Sequence, residues 1–363
     1  MGKKILCLSW CDADNVMNYG QILQALSMMK VLRNYTDEKI EYISYFPRNC
    51  KSLIRYYFDH MNINNGHLQA YVRTRRIVKK YTTEFNVNLM QIRKYTQLKK
   101  CKNVDIMVCG SDQIWHPCNF DKAFFLDFGC ENTKRIAFSV SLPKKSIEQN
   151  FIKQYEEMSE SLAKVDSIAV REHSSIDLVS KLSNKSIVSV MDPTFLVEKS
   201  FWCNLVKPIE IPDKYIFVYI PNGMNSEMVD FVEQIKIELK IPNVLVMLTR
   251  GNNLFINSIN LGFVDLGQFL YLIKKASLVI TSSFHAVVFS SIFHTNFYAY
   301  EVKNTTRGED CRITDILDTL GLEERNIKQN EVDLVRTIDF QAVDERIRIK
   351  KNESLAYLNS EIR

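Results

Sequence analysis

Several common signatures are missing from this chain of 363 residues. Its nine cysteines form no C-x-x-C pair, and its six histidines do not recur at metal-ligand spacing. The sequence therefore predicts neither a disulfide framework nor a metal site, and we expect reduced thiols. The patterns G-x-G-x-x-G, G-x-x-x-x-G-K-[ST] and G-x-S-x-G are also absent. Their absence removes the usual dinucleotide, P-loop and serine-hydrolase interpretations.

Long hydrophobic runs are lacking as well. The apolar stretch over residues 5–10 is shorter than the roughly 7–15-residue core of a signal peptide. No window approaches the roughly 18 apolar residues of a membrane span. We therefore expect a cytoplasmic protein, and work at the inner face of the cytoplasmic membrane stays open.

The composition is that of a globular protein, with 46% hydrophobic and 25% charged residues. A net charge of +5 is too weak to indicate nucleic-acid binding, but it suits a protein that handles anionic ligands. The length exceeds the roughly 100–200 residues of a single domain, so we expect two domains. The sequence does not predict an oligomeric state.

Short apolar segments, each followed by polar residues and helical periodicity, recur along the chain. This alternation is typical of doubly wound α/β domains with parallel sheets. The predicted strands cover residues 4–10, 41–46, 104–108, 135–140, 167–170, 188–191, 215–220, 243–248, 278–281 and 296–300.

The fold class is therefore predicted as α/β, with two Rossmann-like doubly wound domains facing a cleft. We place the first domain at 1–207 and the second at 208–325. The charged segment 326–363 is predicted to be helical and to pack back on the first domain. Residues 51–100 are predicted as a basic helical insertion, which is either solvated or a wall facing an anionic acceptor. Its basic cluster is Arg73, Arg75, Arg76, Lys79 and Lys80.

Polar residues directly after predicted strands are the candidates for chemistry, because ligands of open α/β sheets lie beyond the carboxyl ends of the strands. Ser111 and Asp112 follow one strand and could hydrogen-bond a ligand hydroxyl; the alternative is that Asp112 caps the next helix. Arg171 follows another strand. A cation at the start of a helix opposes the macrodipole unless it serves an anion there. The planar guanidinium of Arg171 can bind a carboxylate or phosphate through two hydrogen bonds. The alternative is that Arg171 forms a structural ion pair.

His285 lies at a third strand-to-helix turn, after Ser282 and Ser283. Histidine side chains titrate near neutral pH and serve as general acids or bases. The alternative is a structural histidine. Arg307 and Arg312 flank a polar loop further along the chain. The residues alone indicate a two-domain α/β enzyme that binds an anion.

Five segments, in this order, resemble the polysaccharide pyruvyl transferase family over roughly residues 15–320. No single segment is specific, but the ordered set is. The segments are Asn18-Tyr19-Gly20 with Leu23-Gln24-Ala25-Leu26, Gly110-Ser111-Asp112-Gln113-Ile114-Trp115, Val170-Arg171-Glu172, Asp192-Pro193-Thr194-Phe195-Leu196 and Ser282-Ser283-Phe284-His285.

The resemblance implies a fold similar to the GT-B glycosyltransferases, with the site between the domains. It implies a bacterial enzyme that transfers a carboxyethylidene group from phosphoenolpyruvate to two hydroxyls of a sugar, forming a pyruvate ketal. The acceptor would belong to a capsular, exopolysaccharide or cell-wall polymer or its lipid-linked or nucleotide-linked precursor. Phosphoenolpyruvate is the donor substrate, and the resemblance implies no cofactor, no metal and no nucleic-acid partner.

The resemblance also assigns roles. His285 is the expected acid/base, Asp112 orients an acceptor hydroxyl, and Arg171 clamps the donor. The other expected substrate-binding residues are Asn18, Gly20, Ser111, Ser283, Arg307 and Arg312.

One departure bears on the donor. Many members carry Arg-Leu-His where this chain has Ser283-Phe284-His285, so a cationic clamp is missing unless Arg307 or Arg312 supplies the charge. Two alternatives stay open, and this departure favours the first. One is a GT-B-type glycosyltransferase with a nucleotide-sugar donor, and the other is a non-catalytic, glycan-binding member of the family.

Overall fold

Two parallel sheets organise the chain, as a computed structural model shows. The first sheet has the strand order β3-β2-β1-β4-β5-β6-β7 and the second β10-β9-β8-β11-β12. The structure describes residues 2–11, 18–47, 67–221, 223–248, 253–255, 257–300, 310–327 and 336–363. The first seven strands are β1 Ile5–Ser9, β2 Ile40–Tyr45, β3 Val87–Ile92, β4 Ile106–Cys109, β5 Lys134–Val140, β6 Ser167–Val170 and β7 Val188–Ser189. The others are β8 Tyr215–Tyr219, β9 Asn243–Met247, β10 Ile259–Asn260, β11 Leu278–Thr281 and β12 Phe297–Ala299.

Helices connect these strands and cover the sheets. The α-helices are α1 Tyr19–Arg33, α2 His67–Glu84, α3 Tyr95–Leu98, α4 Ile152–Leu162, α5 Ile176–Ser183, α6 Pro193–Leu196, α7 Lys199–Leu205, α8 Ser226–Glu238, α9 Leu266–Lys275, α10 Phe284–Phe293, α11 Arg312–Leu320 and α12 Phe340–Ile362. All five residues of β1 and of β8 are buried. Such continuous apolar runs are what a parallel sheet covered on both faces requires.

The two-sheet α/β prediction is confirmed, and the predicted strand positions agree with the structure to within a few residues. The predicted insertion at 51–100 is wrong in part, because β3 lies inside it. All six residues of β3 pair with residues of β2, so β3 is the edge strand of the first sheet. The apolar residues of this strand, Val87, Leu89, Met90 and Ile92, do not alternate strictly with polar ones, so the sequence pattern did not distinguish it from its basic surroundings. Residues 48–66 lie outside the described part of the chain.

Helix α1 of the first half packs directly on the second half. The Tyr19 ring stacks on Phe269 with centroids 4.2 Å apart. Its buried hydroxyl donates to the Val264 carbonyl oxygen over 2.9 Å. One apolar cluster runs through this contact and includes side chains from both sheets. The position of α1 is therefore fixed by both halves of the molecule.

Helix α2 contacts the second half on one side and solvent on the other. Thr74 is buried and its hydroxyl oxygen accepts from the Leu266 amide over 3.3 Å. Arg73 lies 3.7 Å from the buried carboxylate of Asp265, which caps α9. The remaining members of the basic cluster, Arg75, Arg76, Lys79 and Lys80, are exposed. The basic segment is thus a packing element with a solvated cationic face.

The C-terminal helix α12 contacts the first sheet and its following loops. The Ser354 hydroxyl oxygen accepts from the Met191 amide over 2.9 Å. The Tyr357 ring stacks on Phe138 of β5. Glu361 pairs with Lys134 over 2.8 Å. These contacts bring the end of the chain alongside β5 and the residues after β7.

We expect Tyr19→Phe to lower the free energy of unfolding by about 1–3 kcal/mol, because it leaves the buried Val264 carbonyl oxygen without its donor. Denaturant unfolding would measure this change. Tyr35→Phe is the control, because the Tyr35 hydroxyl makes no hydrogen bond within the described residues. Equal effects of the two substitutions would contradict the prediction.

Candidate active site

The candidate site joins loops at the carboxyl ends of β4, β5, β6 and β7 to the start of α10. Four of its residues form a cluster in which Ser111, Arg171 and His285 each lie beside Asp192. Three follow strands of the first sheet, and His285 follows β11 of the second. The site therefore depends on how the two halves pack together.

Arg171 is the buried cation of the site. Its Nε donates to Glu172 Oε1 over 2.9 Å, its Nη1 to Asp192 Oδ2 over 3.0 Å and its Nη2 to Ser141 Oγ over 3.0 Å. The Phe284 ring stacks on its guanidinium, with Cζ 4.0 Å from the ring centroid. Burial lowers the pKa of Arg171, but the charges of Glu172 and Asp192 raise it by more than burial lowers it. The net shift of the pKa is therefore upward. Arg171 stays charged.

Asp192 is the buried carboxylate that links the cluster. Its Oδ1 accepts from the amide and the hydroxyl of Thr194, as the helix cap of α6. Its Oδ2 accepts from Ser111 Oγ over 3.1 Å and from Arg171 Nη1. Burial raises the pKa of Asp192, but His285 and Arg171 lower it more, so the net pKa lies well below its ordinary value. Asp192 is therefore an anion at neutral pH.

His285 is the second residue of α10, which Ser283 caps. Its Nε2 lies 3.7 Å from Asp192 Oδ2, which is beyond hydrogen-bonding distance. This nitrogen is buried and has no hydrogen-bond partner among the described residues. The imidazole is thus held beside a carboxylate, with the nearer ring nitrogen buried and unpartnered among the described residues.

Gly20 gives the His285 ring its space. A Cβ atom at this position would lie 2.2 Å from His285 Nδ1 and 2.8 Å from two ring carbons. Real contacts of this kind do not occur, so a residue with a side chain would displace the ring. The first turn of α1 and the first turn of α10 meet here edge to edge.

A layer of hydrogen bonds beneath the cluster holds Ser111 in place. Its amide donates to Gln24 Oε1 over 3.2 Å, and its carbonyl oxygen accepts from Ser9 Oγ over 2.9 Å. The preceding Gly110 has φ +123°, and a Cβ there would lie 2.0 Å from the Phe138 carbonyl oxygen. The glycine is required by both its backbone conformation and its close contact.

The structure brings together some of the predicted site residues and gives others local contacts. Ser111, Arg171 and His285 join the cluster, and Gly20 supports it. Asn18 and Ser283 cap α1 and α10, and Asp112 Oδ1 accepts from the next amide, Gln113, over 2.7 Å. No α-helix starts at that point, so the helix-cap alternative for Asp112 is wrong. Arg307 lies outside the described residues, and the ligand roles of all these residues stay predictions.

Arg312 is paired by its own loop. Its Nε and Nη2 bind both carboxylate oxygens of Asp310, at 2.7 to 3.1 Å. It lines the same cavity as Arg171. Its guanidinium therefore places a positive charge near the cluster, and the Asp310 carboxylate partly compensates that charge.

Sequence reasoning missed two carboxylates and a serine as site residues. Asp192, Glu172 and Ser141 all follow strands, at the same kind of position as the residues that were chosen. Glu172 is buried, and its Oε1 accepts from Ser141 Oγ over 2.8 Å. Burial raises the pKa of Glu172 and prevails over the opposing effect of Arg171. The signal that could have found the two acids is their position in the sequence. Glu172 and Asp192 each come just after a predicted strand.

Residues 18–304 match the family described as polysaccharide pyruvyl transferase. The chain belongs to this family. A comparison with curated protein sequences gives no significant match. All four residues of the cluster lie within the matched part of the chain.

Solved structures with the same fold have very different sequences. A UDP-N-acetylglucosamine 2-epimerase has 11% identity and a TM-score of 0.52, covering 99% of this chain and 97% of its own. The S. aureus MnaA–UDP complex has 10% identity and a TM-score of 0.52, with 97% and 91% covered. A mutant of the Thermobaculum terrenum O-GlcNAc transferase has 10% identity and a TM-score of 0.50, with 99% and 66% covered. These similarities establish the fold, which is GT-B-like.

Among the described residues, no group of three His, Cys, Asp or Glu side chains has the geometry to hold a metal ion. Within the same residues, no helix has the length and apolar character needed to cross a membrane.

We expect Gly20→Ala to lower the free energy of unfolding by about 1–3 kcal/mol, the usual cost of overpacking, because its methyl group would overlap His285. Alanine otherwise favours a helix over glycine, so the sign is diagnostic. Denaturant unfolding of Gly20→Ala, His285→Ala and the double variant would measure the coupling. The cost should vanish in the His285→Ala background. An unchanged cost there would show that the ring is not the cause.

We expect Asp192→Asn to destabilise the protein near the lower end of the roughly 3–5 kcal/mol typical of a broken buried pair, since Glu172 still faces Arg171. Because the folded pKa of Asp192 is depressed, its stabilisation is present above its unfolded pKa, about 3.9, and is lost as pH falls below it. The difference from the parent should therefore shrink between pH 7 and pH 3 in denaturant unfolding. Exposed Asp213→Asn is the control, and a pH-independent difference would argue against this role.

Proposed function

We propose that the protein transfers a carboxyethylidene group from phosphoenolpyruvate to two hydroxyls of a sugar in a bacterial capsular, exopolysaccharide or cell-wall glycan or its precursor. Membership of the pyruvyl transferase family supports the reaction type. The observation that carries the proposal is the buried His285, with an unpartnered Nε2 3.7 Å from the Asp192 carboxylate. An acid/base beside a fixed charge array is what this chemistry needs.

The proposed reaction has four steps. A proton is added to the methylene carbon of the donor and makes it a methyl group, which leaves an oxocarbenium-like centre at the adjacent carbon. One sugar hydroxyl attacks that carbon and loses its proton. Phosphate then leaves with the electrons of its C–O bond. The second hydroxyl attacks the same carbon and loses its proton, which closes the ketal and gives one inorganic phosphate per turnover.

His285 is the proposed acid/base for these proton transfers. Asp192 and Gly20 are positioning residues: the first sets the charge beside Nε2, and the second leaves room for the ring. Asp112, at the turn after β4, is the proposed partner of an acceptor hydroxyl. Each role is a separate proposal supported by the location of the residue.

Arg171 is the proposed cation for the donor. A guanidinium has five N–H donors, and the contacts to Glu172, Asp192 and Ser141 use three of them. Two remain for a donor oxyanion. Because Ser283 replaces the arginine that many members carry, Arg312 is the proposed second cation. It shares a cavity with Arg171, which supports this substitution.

The exposed cations of α2 support a place beside an anionic surface. Arg75, Arg76, Lys79 and Lys80 all face solvent on one helix. Such clusters are attracted to anionic lipid and to pyrophosphate-bearing carriers. We therefore propose a cytoplasmic enzyme that meets a lipid-linked acceptor at the inner membrane face.

We expect phosphoenolpyruvate to raise the thermal midpoint of the protein. A ligand that binds only the folded state adds about 2.7 kcal/mol at a hundred times its dissociation constant. His285→Asn should keep this shift but slow phosphate release from phosphoenolpyruvate with a glycan acceptor by about 10²–10⁴-fold, the usual contribution of general acid–base catalysis.

His294→Asn is the matched control, because this exposed histidine ends the same helix in a left-handed conformation that asparagine tolerates. It should leave both readings unchanged. A thermal shift with a nucleotide sugar and none with phosphoenolpyruvate would instead support the glycosyltransferase alternative, which the Ser283 departure favours. Binding without turnover in the parent protein would support a non-catalytic, glycan-binding member.

A further inference from the structure

One guanidinium lies between two buried carboxyl groups in the candidate site. Arg171 donates through Nε to Glu172 Oε1 and through Nη1 to Asp192 Oδ2. The Glu172 side chain is 1% exposed, and that of Asp192 is fully buried. Away from water a single positive charge balances one carboxylate, and a second carboxyl group is favoured in its neutral form. The surroundings of the two acids decide which of them keeps a proton.

The hydrogen bonds of Asp192 assign it the negative charge. Its Oδ1 accepts two bonds from Thr194. Its Oδ2 accepts from Ser111 and Arg171 and lies 3.7 Å from His285 Nε2. A carboxylate that accepts several hydrogen bonds is stabilised in its ionised form. Asp192 is therefore the carboxylate that balances Arg171.

Glu172 has its hydrogen bonds on one oxygen only. Its Oε1 accepts from Arg171 Nε over 2.9 Å and from Ser141 Oγ over 2.8 Å. Its Oε2 is buried and has no hydrogen-bond partner among the described residues. An ionised oxygen in that position is costly, whereas the hydroxyl of a neutral carboxyl group carries no charge. Burial raises the pKa of Glu172 and outweighs the effect of Arg171, which agrees with a proton on Oε2.

The ionisable groups around Glu172 leave this proton in place. Those in the cavity and the adjoining loop are Arg171, His173, Asp192, Cys311, Arg312 and Asp315. Asp315 accepts from the amide and the hydroxyl of Ser174, and its charge raises the pKa of Glu172. Burial raises the pKa of the Cys311 thiol, which stays neutral. Of the three acids, Glu172 is the one whose second oxygen has no donor among the described residues.

Glu172 also lies where the donor is proposed to bind. Glu172 and Arg171 line one cavity of about 310 Å³, and Arg171 is the proposed cation for the donor. A proton on Oε2 has no acceptor among the described residues, so an atom of a ligand is the partner that this geometry leaves. Two carboxyl groups whose surroundings shift their pKa values in opposite directions are the usual mark of a proton donor beside a fixed anion.

We propose that Glu172 is the general acid of the site, with a proton on Oε2 that it gives to the methylene carbon of the donor. This assignment rests on the proposed function and narrows the role of His285 to that of the base. The O–H bond of Glu172 breaks while the electrons of the donor's double bond form the new C–H bond. His285 takes the protons of the two sugar hydroxyls. One of these protons restores Glu172, and the other leaves with phosphate.

Infrared spectroscopy of the full chain tests the proton, because a neutral carboxyl group has a carbonyl stretching band that a carboxylate lacks. At about pH 5.5 an ordinary glutamate, with a pKa of about 4.3, is more than about nine-tenths ionised. The parent should show a carboxyl band at this pH that is missing from Glu172→Gln. In Asp192→Asn the band should weaken, because Arg171 then has Glu172 alone to balance.

The matched control is Asp318→Asn, since Asp318 is an exposed acid at the rim of the same cavity. It should keep the band of the parent. A parent spectrum in which Glu172→Gln removes no band would overturn the proposal, and so would an equal loss in Asp318→Asn.

Glu172→Gln also separates the acid from a structural role, because glutamine has the shape of the neutral acid. It keeps an oxygen acceptor for Arg171 and Ser141 and an N–H donor in place of the hydroxyl. The variant should fold, by circular dichroism, and keep the thermal shift with phosphoenolpyruvate. Phosphate release with the glycan acceptor used for His285→Asn should fall by about 10²–10⁴-fold. Release at the parent rate, or loss of the thermal shift, would overturn the proposal.

The pH dependence gives the sign of the effect. A general acid must be protonated, so phosphate release by the parent should fall as pH rises through the folded pKa of Glu172. The residual release by Glu172→Gln should lack this fall. A parent that shows the infrared band but neither binds nor consumes phosphoenolpyruvate would overturn the proposed function. A parent that consumes it without the band would overturn the role of Glu172 alone.

Discussion

The buried pair of Arg171 and Asp192 is the interaction on which the site depends. Neither charge has access to bulk water, so each requires the other, and such a pair persists only when its remaining hydrogen bonds are satisfied. Ser111, Ser141, Thr194 and Glu172 supply most of these hydrogen bonds. Four strand ends of the first sheet are therefore tied to one charge centre. The Phe284 ring closes that centre from the other half of the molecule.

Much of the fold was predictable because its signals are local. Buried parallel strands are continuous apolar runs, and those of β1, β8 and β11 stand out in the sequence. Strand β3 did not, because an edge strand needs fewer apolar residues and this one lies among basic residues. Its place in the sheet is set by pairing with β2 over long sequence separation, which periodicity does not report.

The site was predictable only in part, for a similar reason. Strand-end position and side-chain chemistry singled out Ser111, Arg171 and His285, and the structure brings them together. The same reasoning did not single out Asp192, although it also follows a strand. Asp192 caps α6 through Oδ1. Its Oδ2 accepts hydrogen bonds from Ser111 and Arg171 of the cluster. A single sequence does not indicate that the two oxygens of one carboxylate have different partners and different roles.

The contact of Tyr19 with Phe269, here called the seam, joins the two sheets of the molecule and limits how far they can move apart. Many two-domain proteins with a central cleft open by hinge rotation, which needs an interface that can slide or part. Here an aromatic stack, a buried hydroxyl bond and a shared apolar cluster cross the seam. Wide opening would expose core surface rather than a polar interface. The two parts therefore share one interior, and either part made alone would lack some of its own core.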